Sequence, residues 1–188
     1  KGEIIKFSFK SNFKNVIPLS NPLPKILKKP KKFSLSDGAY EFKFVSLDKN
    51  VLTGISDQSF ALNPKKGLNI PGSSYDDKLQ EKVYLKFLKK IGNLSFNCVG
   101  LSFIQNSRII KILKKKFPEI LFISKLENSL GYINRKEIIR QSDAVMIDRG
   151  DLSAEVGVTN LSNYSDNIIS DAKDMGNPTI IATENLNS

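Results

Sequence analysis

Residues 119–128 read EILFISKLEN, and this stretch decides the fold. A run of apolar residues ends there in a polar group formed by Lys125, Glu127 and Asn128. Comparable apolar runs occur at three other places, residues 96–104, 144–147 and 178–182. The segments between these runs have apolar residues at helical spacing. Continuous apolar strands that alternate with helices are typical of a parallel sheet covered on both faces. The sequence therefore predicts an α/β fold.

The distance from one apolar run to the next fits repeated βα units. The helices predicted between and around the runs cover residues 76–91, 107–117, 134–141 and 166–175. Ser107 and Asn134 are candidate N-caps, and Gly176 is a stop signal for the last helix. Four such strands cannot close a (β/α)₈ barrel, which needs about 250 residues. Two interpretations remain open: a small open sheet, or part of a larger barrel.

The residues before about position 70 have a different pattern. Tyr40, Phe42 and Phe44 alternate with Glu41 and Lys43, which is the period-2 signature of a half-buried strand. Turn residues precede this strand, and four prolines before residue 33 disfavour a helix there. We therefore predict two domains: a small all-β domain over residues 1–70 and an α/β domain over residues 71–188.

The composition excludes several classes of function. The 188-residue chain contains no His and one Cys, so it has no Ser-His-Asp triad, no His-ligated zinc and no internal disulfide framework. No apolar run approaches the roughly 20 residues of a membrane helix, and we expect a cytoplasmic protein without a membrane partner. Lysine runs account for much of the net charge of +10, but they lack interleaved aromatic residues, so we expect no nucleic-acid partner.

Polar residues follow each predicted strand, where the carboxyl ends of parallel strands line an active site. Glu127 and Asp151 are suited to hold one Mg²⁺, and Lys125 is suited to an anionic oxygen of a substrate. Gly150 lets the backbone approach a ligand, and Thr183 adds a hydroxyl donor. The alternative interpretation is that Lys125 and Glu127 form a solvated loop pair and that the segment around Gly150 is a plain turn.

These motifs carry a resemblance to a known family. The stretches concerned are residues 65–72 (KKGLNIPG), 123–128 (ISKLEN), 143–152 (DAVMIDRGDL) and 178–183 (PTIIAT). In this order and spacing they resemble pyruvate kinase, from about residue 30 to the end of the chain. The resemblance implies a partial (β/α)₈ TIM barrel, containing barrel strands four to seven, that follows a small all-β lid domain.

The resemblance also implies a role for each matching position. Lys125 would be the catalytic residue that stabilises the transferring phosphoryl group, while Glu127 and Asp151 would bind Mg²⁺. Gly150, Asp151 and Thr183 would hold the carboxylate of phosphoenolpyruvate. Lys66 would approach the nucleotide phosphates.

The reaction implied is phosphoryl transfer from phosphoenolpyruvate to ADP, giving pyruvate and ATP, as in glycolysis. A K⁺ site is expected in this family, but nothing in this chain matches its ligands. The family resemblance further implies a homo-oligomer in the full-length form. The first three barrel strands and the eighth have no match in the sequence, which leaves the activity of the isolated chain open.

Four positions depart from the family pattern. Gln105 stands in place of an arginine, Asp148 and Ser153 in place of small residues, and Glu184 in place of a glutamine. The extra negative charge of Asp148 is expected to weaken the binding of an anionic substrate. Two alternatives therefore remain: a catalytically degenerate homologue that binds a ligand or partner, and a metal-dependent aldolase or lyase of the wider phosphoenolpyruvate/pyruvate barrel group.

Overall fold

The computed structural model describes residues 2–9, 15–36, 38–48, 50–56, 58–64, 66–91 and 96–183. The chain divides into two compact units, Lys1–Ser74 and Tyr75–Ser188. Among the described residues, no helix combines the length and the apolar character that crossing a membrane requires. Two positions lie outside the described residues: the departure at Glu184, and Asp37, which is one of the turn residues predicted before the strand that begins at Tyr40.

The first unit consists of β-strands. They are β1 (Glu3–Phe9), β2 (Ile17–Leu19), β3 (Lys25–Ile26), β4 (Lys32–Leu35), β5 (Tyr40–Asp48), β6 (Val51–Ser56), β7 (Leu68–Asn69) and β8 (Ser73–Ser74). Six of them form one sheet in the order β2-β1-β6-β5-β4-β7, and β3 pairs with β8. All pairings are antiparallel except that of β1 with β2.

Alternation of side chains along β5 produces the core of this unit. Phe42 is buried while Glu41 and Lys43 are exposed, which confirms the predicted strand pattern. The ring of Phe42 stacks on that of Phe33 with 5.0 Å between centroids, and Phe7 meets both rings edge-on. Burial of each such ring contributes about 1.5–3 kcal/mol, so this aromatic cluster holds the sheet together.

The second unit alternates helices and strands. They are α1 (Asp77–Ile91), β9 (Cys98–Leu101), α2 (Arg108–Lys116), β10 (Leu121–Lys125), α3 (Ser129–Ile133), α4 (Arg135–Gln141), β11 (Ala144–Asp148), α5 (Arg149–Val156), α6 (Val158–Asp174) and β12 (Thr179–Ala182). The four strands form one parallel sheet in the order β12-β11-β10-β9.

The strand order of this sheet follows the chain order. Each strand pairs in parallel with the next strand along the sequence, without the reversal that marks a doubly wound sheet. Sequential parallel pairing through helical crossovers is the pattern of a (β/α) barrel. Buried apolar residues of the strands, such as Phe122 and Ile147, pack with buried residues of the helices in one cluster. The fold thus brings the carboxyl ends of neighbouring strands to one edge.

The helix boundaries correct several sequence predictions. Ser107 and Asn134 occupy N-cap positions, but neither side chain caps its helix, because neither backbone has the extended conformation typical of an N-cap. Ser107 donates to Glu137, and Asn134 donates to the carbonyl of Gln105. Helix α6 begins at Val158 and not near residue 166. Helices α3 and α5 were not predicted, since both are short and bury few side chains.

Candidate functional site

Three strand ends bring polar side chains to the carboxyl edge of the sheet. Lys125 is the last residue of β10, Asp148 is the last residue of β11, and Thr183 follows β12 directly. Because β10, β11 and β12 are neighbours and parallel, these three residues lie side by side. Helix α5 begins immediately after β11 and places Gly150 and Asp151 in its first turn.

Lys125 forms two ion pairs at this edge. Its Nζ lies 2.9 Å from Oδ2 of Asp148 and 3.3 Å from Oε2 of Glu127. The Lys125 side chain is mostly buried, with 19% of its area exposed. Burial disfavours the ammonium, but the two carboxylates outweigh it, so the pKa of Lys125 lies above its ordinary value. The site therefore contains a permanent positive charge at neutral pH.

Glu127 is almost completely buried, with 1% of its area exposed. Neither of its carboxylate oxygens forms a hydrogen bond within the part of the chain that the structure describes. Burial raises the pKa of Glu127 to about 7, although the nearby ammonium of Lys125 opposes that shift. The ammonium of Lys125, 3.3 Å from Oε2, offsets part of the cost of burying this carboxylate, and the unpartnered Oε1 makes Glu127 a suitable metal ligand.

Asp148, by contrast, is well supplied with donors. Its Oδ1 accepts a hydrogen bond from the Thr183 hydroxyl at 2.8 Å, and its Oδ2 pairs with Lys125. The backbone N–H of Asp151 also donates to this carboxylate. Burial would raise the pKa of Asp148, but these donors outweigh burial and lower it. Asp148 is therefore an ionised carboxylate in the middle of the site.

Gly150 and Thr183 complete the edge. The backbone N–H of Gly150 donates to Oγ1 of Thr183 at 3.0 Å. A Cβ at Gly150 would lie in ordinary contact with Thr183 Oγ1 at 3.5 Å and Asp148 Oδ1 at 3.6 Å, so these two groups border the space beside Gly150. Thr183 has a φ of 58°, a conformation that a β-branched residue adopts only when its surroundings enforce it.

Three carboxylates are arranged to hold a cation. Glu127, Asp148 and Asp151 each present one oxygen, and these oxygens lie within 4.8 Å of one another. Oxygen ligands at this separation suit a hard divalent ion, and the unpartnered Oε1 of Glu127 supplies a reason for one to bind. The donor set therefore fits the Mg²⁺ that the sequence implied, with Asp148 as an additional neighbour.

The structure brings together five of the six residues that the sequence singled out. Lys125, Glu127, Gly150, Asp151 and Thr183 lie at the carboxyl edge of the second unit's sheet. Lys66 belongs to the first unit, where it is exposed.

Sequence reasoning missed two further neighbours of the site. Burial, together with Glu155, Asp151 and Glu127, raises the pKa of the Tyr75 hydroxyl to about 12, so Tyr75 stays protonated beside the carboxylates. Glu155 accepts a hydrogen bond from the backbone N–H of Ser129 at 3.1 Å. Its spacing of four residues from Asp151 would have indicated this position, had α5 been recognised as a helix.

Comparison with known proteins agrees with this architecture. The family model described as the pyruvate kinase barrel domain matches residues 4–188. The chain belongs to the pyruvate kinase family, and the partial-barrel fold predicted from the sequence is confirmed.

Individual relatives give the extent of the match. The pyruvate kinase of Encephalitozoon cuniculi is 29% identical over 191 residues, covering 100% of this chain and 44% of that protein. The pyruvate kinase of Methanocaldococcus jannaschii is 30% identical over 158 residues, covering 82% of this chain and 35% of that protein. A probable pyruvate kinase of Arabidopsis thaliana, named as a cytosolic isozyme, is 31% identical and covers 81% of this chain and 32% of that protein. The chain thus spans less than half the length of these curated relatives.

A solved structure shows the same fold. The Cryptosporidium parvum pyruvate kinase in complex with ADP superposes with a TM-score of 0.77 at 24% identity, covering 96% of this chain and 39% of that one.

Proposed function

We propose that this chain carries the catalytic site of a pyruvate kinase-type phosphotransferase. The reaction is transfer of the phosphoryl group of phosphoenolpyruvate to ADP, giving pyruvate and ATP in glycolysis. The observation that carries this proposal is the convergence of Lys125, Glu127 and Asp151 at one sheet edge, within a chain of this family.

Charge neutralisation is the main chemical demand of this reaction. Phosphoryl transfer spreads negative charge over the oxygens in flight, and the protein contributes by positioning and electrostatic stabilisation. The ammonium of Lys125 supplies a fixed positive charge that its carboxylate neighbours keep protonated. In this proposal Lys125 acts directly on the transferring group.

A divalent cation is expected in the same site. Glu127 and Asp151 would hold Mg²⁺, which when bound neutralises substrate oxygens and orients them. In this proposal Gly150, Asp151 and Thr183 would hold the carboxylate of phosphoenolpyruvate, in exchange for the hydrogen bonds that the Gly150 amide and the Thr183 hydroxyl now donate to Thr183 Oγ1 and Asp148. By family resemblance alone, Lys66 would approach the nucleotide phosphates; the K⁺ ion expected in this family has no matching ligands in this chain.

The location and the assembly of the protein are further parts of the proposal. The name of the Arabidopsis relative, a cytosolic isozyme, supports the proposal of a cytoplasmic protein. The expected homo-oligomer stays a prediction.

Substitution of Lys125 tests the catalytic proposal. In the full-length native protein, Lys125→Met should lower kcat about 100- to 1000-fold, because one preorganised electrostatic partner of the transition state is lost. Pyruvate formation from phosphoenolpyruvate and ADP is the measurement, and Lys111→Met, an exposed lysine on α2, is the control. Unchanged turnover in Lys125→Met would exclude the assigned role.

A second candidate is a degenerate homologue that binds ligand without catalysis. The specific observation in its favour is Asp148, which pairs with Lys125 and accepts the Thr183 hydroxyl. Stoichiometric binding of Mg²⁺ and phosphoenolpyruvate to the native protein without any ATP formation would favour this candidate, and sustained ADP-dependent turnover would exclude it.

A further inference from the structure

The carboxylate of Asp148 is held by groups that an anionic substrate would need. Lys125 Nζ lies 2.9 Å from one oxygen, and the Thr183 hydroxyl donates to the other at 2.8 Å. The backbone N–H of Asp151 donates to the same carboxylate. An ammonium, a hydroxyl and a backbone amide are the usual donors to a bound carboxylate or phosphate. The side chain of Asp148 therefore occupies an anion-binding position.

The neighbouring carboxylate has fewer partners. Within the described part of the chain, Oε1 of Glu127 has no hydrogen-bond partner and Oε2 lies 3.3 Å from the Lys125 ammonium, whereas both oxygens of Asp148 are engaged. Glu127 can thus still accept a metal cation through Oε1, while Asp148 already has its partners. The two acidic residues therefore have different roles, Glu127 toward a cation and Asp148 toward the surrounding donors, although their oxygens lie within 4.8 Å of each other.

We propose that Asp148 is a specificity-determining residue that acts as a resident anion and competes with the anionic substrate for Lys125, Thr183 and the Asp151 amide. The proposal rests on the proposed function for the class of that substrate, a small carboxylate or phosphate ester. An incoming anion must separate Asp148 from its donors, and it is also repelled at close range by the negative charge of Asp148. Asp148 consequently lowers the affinity of the site for anions.

The position of Asp148 in the fold keeps its carboxylate beside the donors that the substrate needs. It is the last residue of β11 and immediately precedes α5, so the backbone on both sides is fixed by secondary structure. Its side chain is 14% exposed, and both of its carboxylate oxygens are engaged. Substrate binding is therefore coupled to the loss of these contacts.

The test compares how the affinities for an anion and for a divalent cation change when Asp148 is substituted. Removal of the negative charge at Asp148 should strengthen the binding of an anion and weaken or leave unchanged the binding of a divalent cation, because the two ligands have opposite charges. A residue that served chiefly as a cation ligand would behave differently. Its removal would weaken the binding of the cation and also the binding of any anion that is held through the cation.

The experiment is calorimetric titration of the full-length native protein with oxalate, a small dianion that can neither donate nor accept a phosphoryl group. Titrations are made at saturating Mg²⁺ and, in parallel, with EDTA; Mn²⁺ is titrated alone. The variants are Asp148→Ala and the nearly isosteric Asp148→Asn, which decides the result if the alanine variant folds poorly. Asp174→Asn, which removes a charge from the exposed end of α6, is the matched control.

We expect Asp148→Asn and Asp148→Ala to bind oxalate about tenfold more tightly or better at saturating Mg²⁺, since a like charge at contact distance is removed. Asp174→Asn should match the wild type. Unchanged or weaker oxalate binding in the Asp148 variants, or an equal gain in Asp174→Asn, would overturn the proposal. ATP formation by the wild type is assayed separately. Tighter oxalate binding in the Asp148 variants without any ATP formation by the wild type would uphold the competition and refute the proposed reaction. ATP formation by the wild type without tighter oxalate binding in the variants would uphold the reaction and refute the competition.

Discussion

Glu127 gives the site a pH dependence that can be measured without any substrate. Its folded-state pKa of about 7 lies above the ordinary value of 4.5, because burial disfavours the carboxylate. The folded state therefore holds the proton more tightly than the unfolded chain does. The contribution of Glu127 to stability is fully present below about pH 4.5 and is lost as the pH rises through about 7.

The corresponding prediction concerns the free energy of unfolding in EDTA. Between pH 5 and 8 the wild type should lose stability on the order of 1–3 kcal/mol relative to Glu127→Gln, whose side chain does not titrate. Urea unfolding at several pH values measures the difference, with Glu119→Gln at an exposed position as the control. Parallel pH profiles for the wild type and Glu127→Gln would show that Glu127 is not a buried titrating group.

At the residue scale, the sequence predicted the participants better than their contacts. Residue types and their placement after strands identified Lys125, Glu127 and Asp151, because the carboxyl ends of parallel strands converge. The pairing of Asp148 with Lys125 depends on side-chain rotamers and distances, which no spacing rule specifies. Asp148 was recognised only as a departure, and its hydrogen bond with Thr183 came from the structure.

At the element scale, the short helix α3 fixes the segment that carries Glu127. Asn128 caps α3, accepting a hydrogen bond from the backbone N–H of Gly131 at 2.8 Å and donating to the carbonyl of Ile104 at 3.3 Å. Gly131 packs so closely that a Cβ there would lie 2.5 Å from the Ile104 oxygen. The residue next to Glu127 is thereby tied to the loop after β9.

Removal of this cap should destabilise the protein and disturb the site. Asn128→Ala is expected to lower the free energy of unfolding by about 1–2 kcal/mol, since one helix-end donor and one buried carbonyl lose their partners. Asn160→Ala, at an exposed position in α6, is the matched control and should cost about 0.5 kcal/mol or less. Chemical denaturation measures the free energy of unfolding of both variants. Equal losses of stability in the two variants would mean that the cap at Asn128 does not stabilise the protein.

Element prediction succeeded where the sequence has a pronounced apolar pattern and failed where it has none. The strands β10, β11 and β12 were predicted because each is a short apolar run between polar residues. Helix α5 contains Gly150 and buries only Leu152, so no apolar periodicity indicated it. The predicted caps at Ser107 and Asn134 are wrong because neither residue has the extended backbone of an N-cap, which the residue type alone does not specify.

At the scale of the whole molecule, two separate hydrophobic clusters stabilise the two units. One is formed by residues of the first unit, including Phe33, and the other by residues of the second, including Ile147. Phe33 and Ile147 are both completely buried. Since the clusters share no residue, a cavity in one should loosen chiefly its own unit.

This expectation is testable by hydrogen exchange. Phe33→Ala should cost about 3–5 kcal/mol and reduce protection mainly in β4, β5 and β6, whereas Ile147→Ala should cost about 2–5 kcal/mol and act mainly on β10, β11 and β12. Mass spectrometry of peptic fragments resolves the two patterns. Loss of protection spread evenly over both units by either substitution would argue against independent cores.

A titration with Mn²⁺, a divalent ion that also prefers oxygen ligands, tests most directly whether one cation binds among the acidic groups of the sheet edge. For the native protein we predict one bound ion, with an affinity that falls at least about tenfold in Glu127→Gln and in Asp151→Asn, because each loses a carboxylate ligand. Asp174→Asn should bind like the wild type. Equal Mn²⁺ affinity in the wild type and in a variant with both Glu127→Gln and Asp151→Asn would contradict the site described above.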